Sequence, residues 1–182
     1  MIRTIGLLEL NSIAKGIETA DFMIKAAEVN LLRANSICPG KYIVLISGDV
    51  GAVKASIEVG LEIGGEYVVD RLVLPSVHPQ LINAINGTTE IDEFRALGVL
   101  EFFSIAASIV SADTAAKAAL VDLIEIRLGF AIGGKAFVTL TGDVSAVREA
   151  VEAGARVGAD TGMLVNKVVI PSPRKELFNE LL

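Results

Sequence analysis

Short apolar runs alternate along this chain with stretches whose apolar positions fall three or four residues apart. "TIGLLEL" (4–10) is a compact apolar run and predicts a strand. Behind it, Ile13, Ile17, Ala20, Ile24 and Ala27 recur at helical spacing, which predicts a helix with one buried stripe. "VNLLRANSI" and "KYIVLIS" predict a second and a third strand, separated by a loop that carries "CPGK". Asp49 stands after Gly48 where a cap belongs, ahead of a helix through "VGAVKASIEVGLEIG". "YVVDRLVLP" reads as a fourth strand stopped by Pro75, and "HPQLINAI" as a short closing helix. The resulting order, β-α-β-β-α-β-α, is the split βαβ unit of ferredoxin-like folds: an α+β sandwich with a four-stranded antiparallel sheet and its helices on one face.

The same pattern then repeats. "IGLLELNSIAKGIETADFMIKAAEVNLLR" from Ile5 and "LGVLEFFSIAASIVSADTAAKAALVDLIE" from Leu97 agree at 14 of 29 positions. Chance gives about two, at roughly one match in fifteen for average composition. "KYIVLISGDVGAVKASIEVGLEIG" from Lys41 agrees with "KAFVTLTGDVSAVREAVEAGARVG" from Lys135 at 10 of 24, and "VLPSVHPQL" and "VIPSPRKEL" close the halves. The offset grows from 92 to 94 to 96, so the second half holds two insertions of two residues. This is a tandem duplication without circular permutation. It assigns residues 3–86 and 95–182 to two domains, with the polar stretch "NGTTEIDEFRA" (86–96) between them.

Composition narrows the functional classes. At 182 residues and 52% apolar, the chain has material for proper cores, and no apolar run reaches the roughly 18 residues a membrane span needs. A net charge of −6 and the absence of a basic run argue against nucleic acid, as do the missing Trp and an aromatic content of 5%. "MIRTIGLLEL" lacks the layout of a signal peptide, and a single cysteine rules out a disulfide framework within one chain, so the expected address is the cytoplasm. His78 is the only histidine and has no nucleophile near it in sequence; a surface or capping role is expected. Glu9 and Glu101 hold matched places near strand ends and are read as structural. "GLEIGGE" lacks the spacing of a dinucleotide loop and reads as a helix end and turn. By itself Cys38, the one thiol, reads as a small buried hydrophobe.

The paired segments "ADFMIKAAEV" and "ADTAAKAALV", each followed by a strand, a glycine-containing loop and "GDV.AV", resemble the shell-protein domain of bacterial microcompartments. Two such domains with "CPGK" only in the first are similar to the tandem-domain shell proteins of propanediol-utilisation microcompartments. The resemblance spans about residues 3 to 180. It implies a structural shell subunit and not an enzyme, located in a microcompartment shell in the cytoplasm. Its partners would be itself, other shell proteins and, in some arrangements, the enclosed enzymes. Three copies would form a homotrimeric, pseudohexameric tile around a central pore. The pore would be lined by Ser36, Ile37, Cys38, Pro39 and Gly40 from the first half and by Ile132, Gly133 and Gly134 from the second.

The resemblance also changes the reading of the cysteine. Aligned through Gly40 and Gly134, Cys38 falls opposite Ile132, so only three of six loops in a ring would carry sulfur. Three thiolates about a threefold axis suit three irons of a [4Fe–4S] cluster, one cluster per trimer. That is the cofactor the resemblance implies, serving electron transfer across the shell or cluster delivery. A tetrahedral zinc with three cysteines satisfies the same symmetry and stays open. Pro39 would stiffen the loop, and Gly40 would supply a positive φ or a close backbone approach. Lys25 and Lys117 match the family's tile-edge lysine, although Asp21 and Asp113 four residues earlier make ordinary helix ion pairs an alternative. Ser76 and Ser172 stand where the family often has an arginine, which leaves the strength of tile contacts open. A trimeric ferredoxin-like regulatory protein, binding a small molecule between subunits, is the second reading.

Overall fold

The computed structural model describes residues 4–180. Residues 3, 181 and 182 of the two expected domain spans lie outside the described residues. The elements run β1 (Thr4–Leu10), α1 (Ile13–Ala26), β2 (Val29–Ile37), β3 (Lys41–Gly48), α2 (Val50–Gly64), β4 (Val68–Pro75) and α3 (Leu81–Asn86). The second set is β5 (Ala96–Phe102), α4 (Ile105–Ala118), β6 (Val121–Leu128), β7 (Ala136–Gly142), α5 (Val144–Asp160), β8 (Leu164–Ile170) and α6 (Lys175–Asn179). The predicted order is therefore found twice.

Each sheet has four strands, ordered β2-β3-β1-β4 and β6-β7-β5-β8, and every neighbouring pair is antiparallel. The central strand β1 is buried along its whole length. In the first unit Leu8, Leu10, Val44 and Ile46 meet Met23, Val53 and Ile57 from the helices. Gly6 and Gly98 mark where the helices come closest to the sheets. A Cβ on Gly6 would stand 2.8 Å from Val53, and one on Gly98 would stand 2.7 Å from both Leu140 and Val151. In the second unit, the sheet's other face carries Leu97 and Ile124. These are covered by Phe178, with Ile91 and Phe94 packed alongside. The Phe94 and Phe178 rings lie 4.3 Å apart. "EIDEF" within the linker thus supplies core to the second unit.

Two local expectations are corrected. The buried face of α1 is Gly16, Thr19, Ala20 and Met23, whereas Ile13, Ile17 and Ile24 face outward. The small residues lie inside because α1 packs directly on β3: a Cβ at Gly16 would sit 2.5 Å from the Cβ of Tyr42. Asp49 occupies the cap position of α2 but its side chain makes no capping hydrogen bond, unlike Ser12 and Ser104, which cap α1 and α4.

The chain divides by packing into two compact units, 1–77 and 78–182. Sequence repetition and packing divide it differently, because α3 closes the first repeat yet packs on α4 and β6 of the second unit. Both insertions are located. One lies in the β6–β7 loop, since Leu128 pairs with Ala136 where Ser36 pairs with Tyr42. The other lies between α5 and β8, where five residues separate Gly158 from Leu164 and three separate Gly64 from Val68.

Candidate functional site

The β2–β3 connection is a tight turn. Ile37 is the last buried residue of β2, and its carbonyl accepts a hydrogen bond from Gly40 N–H at 3.0 Å. Cys38 and Pro39 form the tip, with the peptide between them cis, the geometry of a turn that holds proline at its third position. Gly40 has φ 79°, and a Cβ there would meet nothing within 4 Å. Glycine is thus required by the backbone angle, not by lack of space. The Cys38 thiol is free and partly exposed, so it is not the buried hydrophobe that its apolar neighbours alone imply. Ser36, Pro39 and Gly40 are exposed around it.

The turn has a rigid base. Lys41 Nζ donates to Glu9 Oε1 at 2.7 Å, and Glu9 is buried. Tyr42 lies beneath the first turn of α1 at Gly16. The second unit repeats the ion pair, Lys135 Nζ to Glu101 Oε1 at 2.7 Å. Glu9 and Glu101, read from sequence as structural, therefore tie each loop to the central strand. The signal for this was present: both the lysine and the glutamate are identical in the two halves.

The β6–β7 loop has another shape. Gly129, Ala131, Gly133 and Gly134 all have positive φ, and Lys135 N–H reaches the Ile132 carbonyl at 3.4 Å. Ile132 and Gly134 are half-buried, and Gly133 is exposed. Phe130 projects into solvent, 68% exposed, and sequence reasoning passed over it because a single loop aromatic has no periodicity. Among the described residues no three His, Cys, Asp or Glu side chains of one chain are grouped to hold a metal. A metal at Cys38 thus needs donors from other copies.

Elsewhere, Lys25 pairs with Asp21 and Lys117 with Asp113, each at 2.5 Å along its helix. Both lysines sit in the last turn, where a cation favours the helix dipole. His78 Nδ1 accepts from Gln80 N–H at 3.4 Å, a local turn contact.

The family model of the BMC domain, the bacterial microcompartment shell domain, matches residues 4–77 and again 96–173. The chain belongs to the BMC-domain family. This tandem BMC chain is 43% identical over all 182 residues to the "Bacterial microcompartment shell protein PduT" of Citrobacter freundii, covering 99% of that protein. One half is 32% identical over 97 residues to the carboxysome shell protein CcmK2 of Synechocystis, covering 50% of this chain and 94% of the other. Among solved structures, a microcompartment protein from Desulfitobacterium hafniense DCB superposes with a TM-score of 0.94 at 55% identity, over 98% of this chain and 99% of that one. The tandem BMC chain is a shell-type protein along its full length, and among its described residues no helix is long and apolar enough to cross a membrane.

Proposed function

We propose that three copies of this shell subunit close into a pseudohexameric tile and hold a [4Fe–4S] cluster on its axis through Cys38 of each chain. One observation carries this: the only thiol of the chain is free, partly exposed and at the tip of a turn in one unit, while the equivalent loop of the other offers no sulfur. A lone thiol cannot complete a metal site, but three about an axis provide a ligand set. The donor type fits, because thiolate sulfur suits iron–sulfur centres. The surroundings fit too: the turn is pinned by the Lys41–Glu9 pair and opened by Gly40, so the thiol needs no refolding to be presented.

When bound, such a cluster supplies one-electron exchange. The role of the chain is then to hold it where two sides of a shell meet, as an electron path or a point of cluster delivery. Ser36, Pro39 and Gly40 with Ile132, Gly133 and Gly134 form the rim, and Lys25 and Lys117 form the tile edge. The tile is structural and has no catalytic residue of its own.

The test is anaerobic purification with iron, sulfide and zinc analysis. Four irons and four sulfides per three chains, lost in Cys38→Ala while the trimer persists, is the expected result. Zinc at one per three chains contradicts the cluster and keeps the Cys38 site; no bound metal after anaerobic reconstitution contradicts both. Sheets or tubes on concentration support the tile, and a discrete trimer that never forms them favours a regulatory role.

A further inference from the structure

The two repeats differ most at one sheet edge. In the second unit, residues 78–86 lie along α4 and β6. His78 N–H donates to Asp113 Oδ1 at 2.7 Å. Gln80 Nε2 donates to Asp122 Oδ1 at 2.8 Å, and Gln80 Oε1 accepts from the edge amide of Leu123 at 3.0 Å. Leu81, Ala84 and Ile85 of α3 are buried. This edge of the second unit is fully dressed.

In the first unit the same register is bare. Asn30 pairs with Ser47 and Leu31 with Ile46, as Asp122 pairs with Thr141 and Leu123 with Leu140, and the same irregularity follows each. Leu31 is 45% exposed where Leu123 is 0%. Ile17 is exposed where Ile109, four residues before Asp113 on its face, is buried. Asp21 is half exposed where Asp113 is buried.

The segment that would dress it also exists. Arg174, Glu176 and Leu177 correspond to His78, Gln80 and Leu81. All three are exposed, and Leu177 is 41% exposed where Leu81 is 0%. Asp21, Asn30 and Leu31 are exposed as well.

The chemistry of the pairs is reciprocal. On the dressed edge an amide, Gln80, donates to a carboxylate, Asp122. On the bare edge the amide is Asn30, on the strand, and the carboxylate is Glu176, on the segment. Both partners have exchanged, so one hydrogen bond survives with its direction reversed. Changing only one of them would oppose two carboxylates or two amides. The second oxygen of Glu176 can still take the Leu31 amide, as Gln80 takes that of Leu123. Arg174 adds a cation opposite the exposed Asp21.

We propose that residues 174–177 of one copy dock on the α1/β2 edge of a second copy, with Glu176 accepting from Asn30 Nδ2 and from Leu31 N–H, and Arg174 N–H donating to Asp21. The contact is heterologous, so repeating it head to tail closes a ring of the kind proposed above, on which this inference rests and whose closing surface it names.

Sedimentation equilibrium of the full chain tests it. Asn30→Asp sets a carboxylate against Glu176 and is expected to weaken association about tenfold or more. Asp122 already occupies this register, so the fold should be kept, as circular dichroism would show. The double variant Asn30→Asp/Glu176→Gln copies the Asp122–Gln80 pair and should restore wild-type association. Leu177→Asp, on an exposed site, should also weaken association while circular dichroism shows the fold kept. A trimeric wild type that is indifferent to Asn30→Asp and Leu177→Asp, or a double variant as weak as Asn30→Asp, overturns the docking alone. A wild type that is monomeric at every concentration overturns the ring and the docking together.

Discussion

The two units share a fold and differ at their loops and edges, and the difference shows where duplication has been put to use. Both keep the antiparallel order, a glycine where helix meets central strand, and a lysine–glutamate tie under the β2–β3 or β6–β7 loop. Only the first carries sulfur at its loop, and only the second has its outer strand covered by the segment that precedes it, residues 78–86. Conserved parts are those that hold the sheet; divergent parts are those that would face other copies. In the proposed ring, six loops would surround the axis and only three of them would carry a thiol.

The two units differ most consequentially at their loops. In a Cys38→Ala background, Ile132→Cys moves the thiol to a loop two residues longer with four positive-φ positions. Bound iron should be lost entirely and not recovered, read by metal analysis. Next come the helix–strand contacts. Gly6→Val and Gly98→Val force a branched side chain against Val53 or Val151, and each should cost about 3 kcal/mol, the upper range for overpacking, in urea unfolding.

The ion pairs sharpen the contrast. Glu9 is 5% exposed and Glu101 34%, although both accept from a lysine at 2.7 Å. Lys41→Met leaves a buried carboxylate without its cation and should cost about 2 kcal/mol. Lys135→Met exposes its partner to water and should cost under about 1 kcal/mol. The smallest effect belongs to a pair in the second unit alone. Lys167 donates to Glu152 and holds its carboxyl below the usual range. A depressed folded-state pKa stabilises above the unfolded value and is lost as pH falls through the folded one. Lys167→Met should return Glu152 to an ordinary titration, seen by NMR, with neutral-pH stability nearly unchanged.

Much of this was legible in the sequence because strand runs end at glycine or proline and the pattern occurs twice. β1 and β2 begin and end where the apolar runs do. The α1 stripe was not legible: periodicity reveals an apolar face, and α1 has two. Its isoleucines mark the outward one, while the inner face is built from small residues that let helix and sheet approach. Nor could spacing place α3, which ends the first repeat yet packs in the second unit. The tip position of Cys38 was readable from "CPGK", but its partial exposure was not, because apolar neighbours in sequence are not neighbours in space.

The proposed cluster depends on whether the sulfurs of separate chains converge. Anomalous diffraction at the iron edge, from crystals of anaerobically reconstituted wild-type protein, reads this directly. The expected result is a four-iron cluster centred on a threefold axis, with Cys38 Sγ of each of three chains bonded to a different iron. An iron cluster centred away from that axis, or three Cys38 side chains turned outward from it, would contradict the proposal.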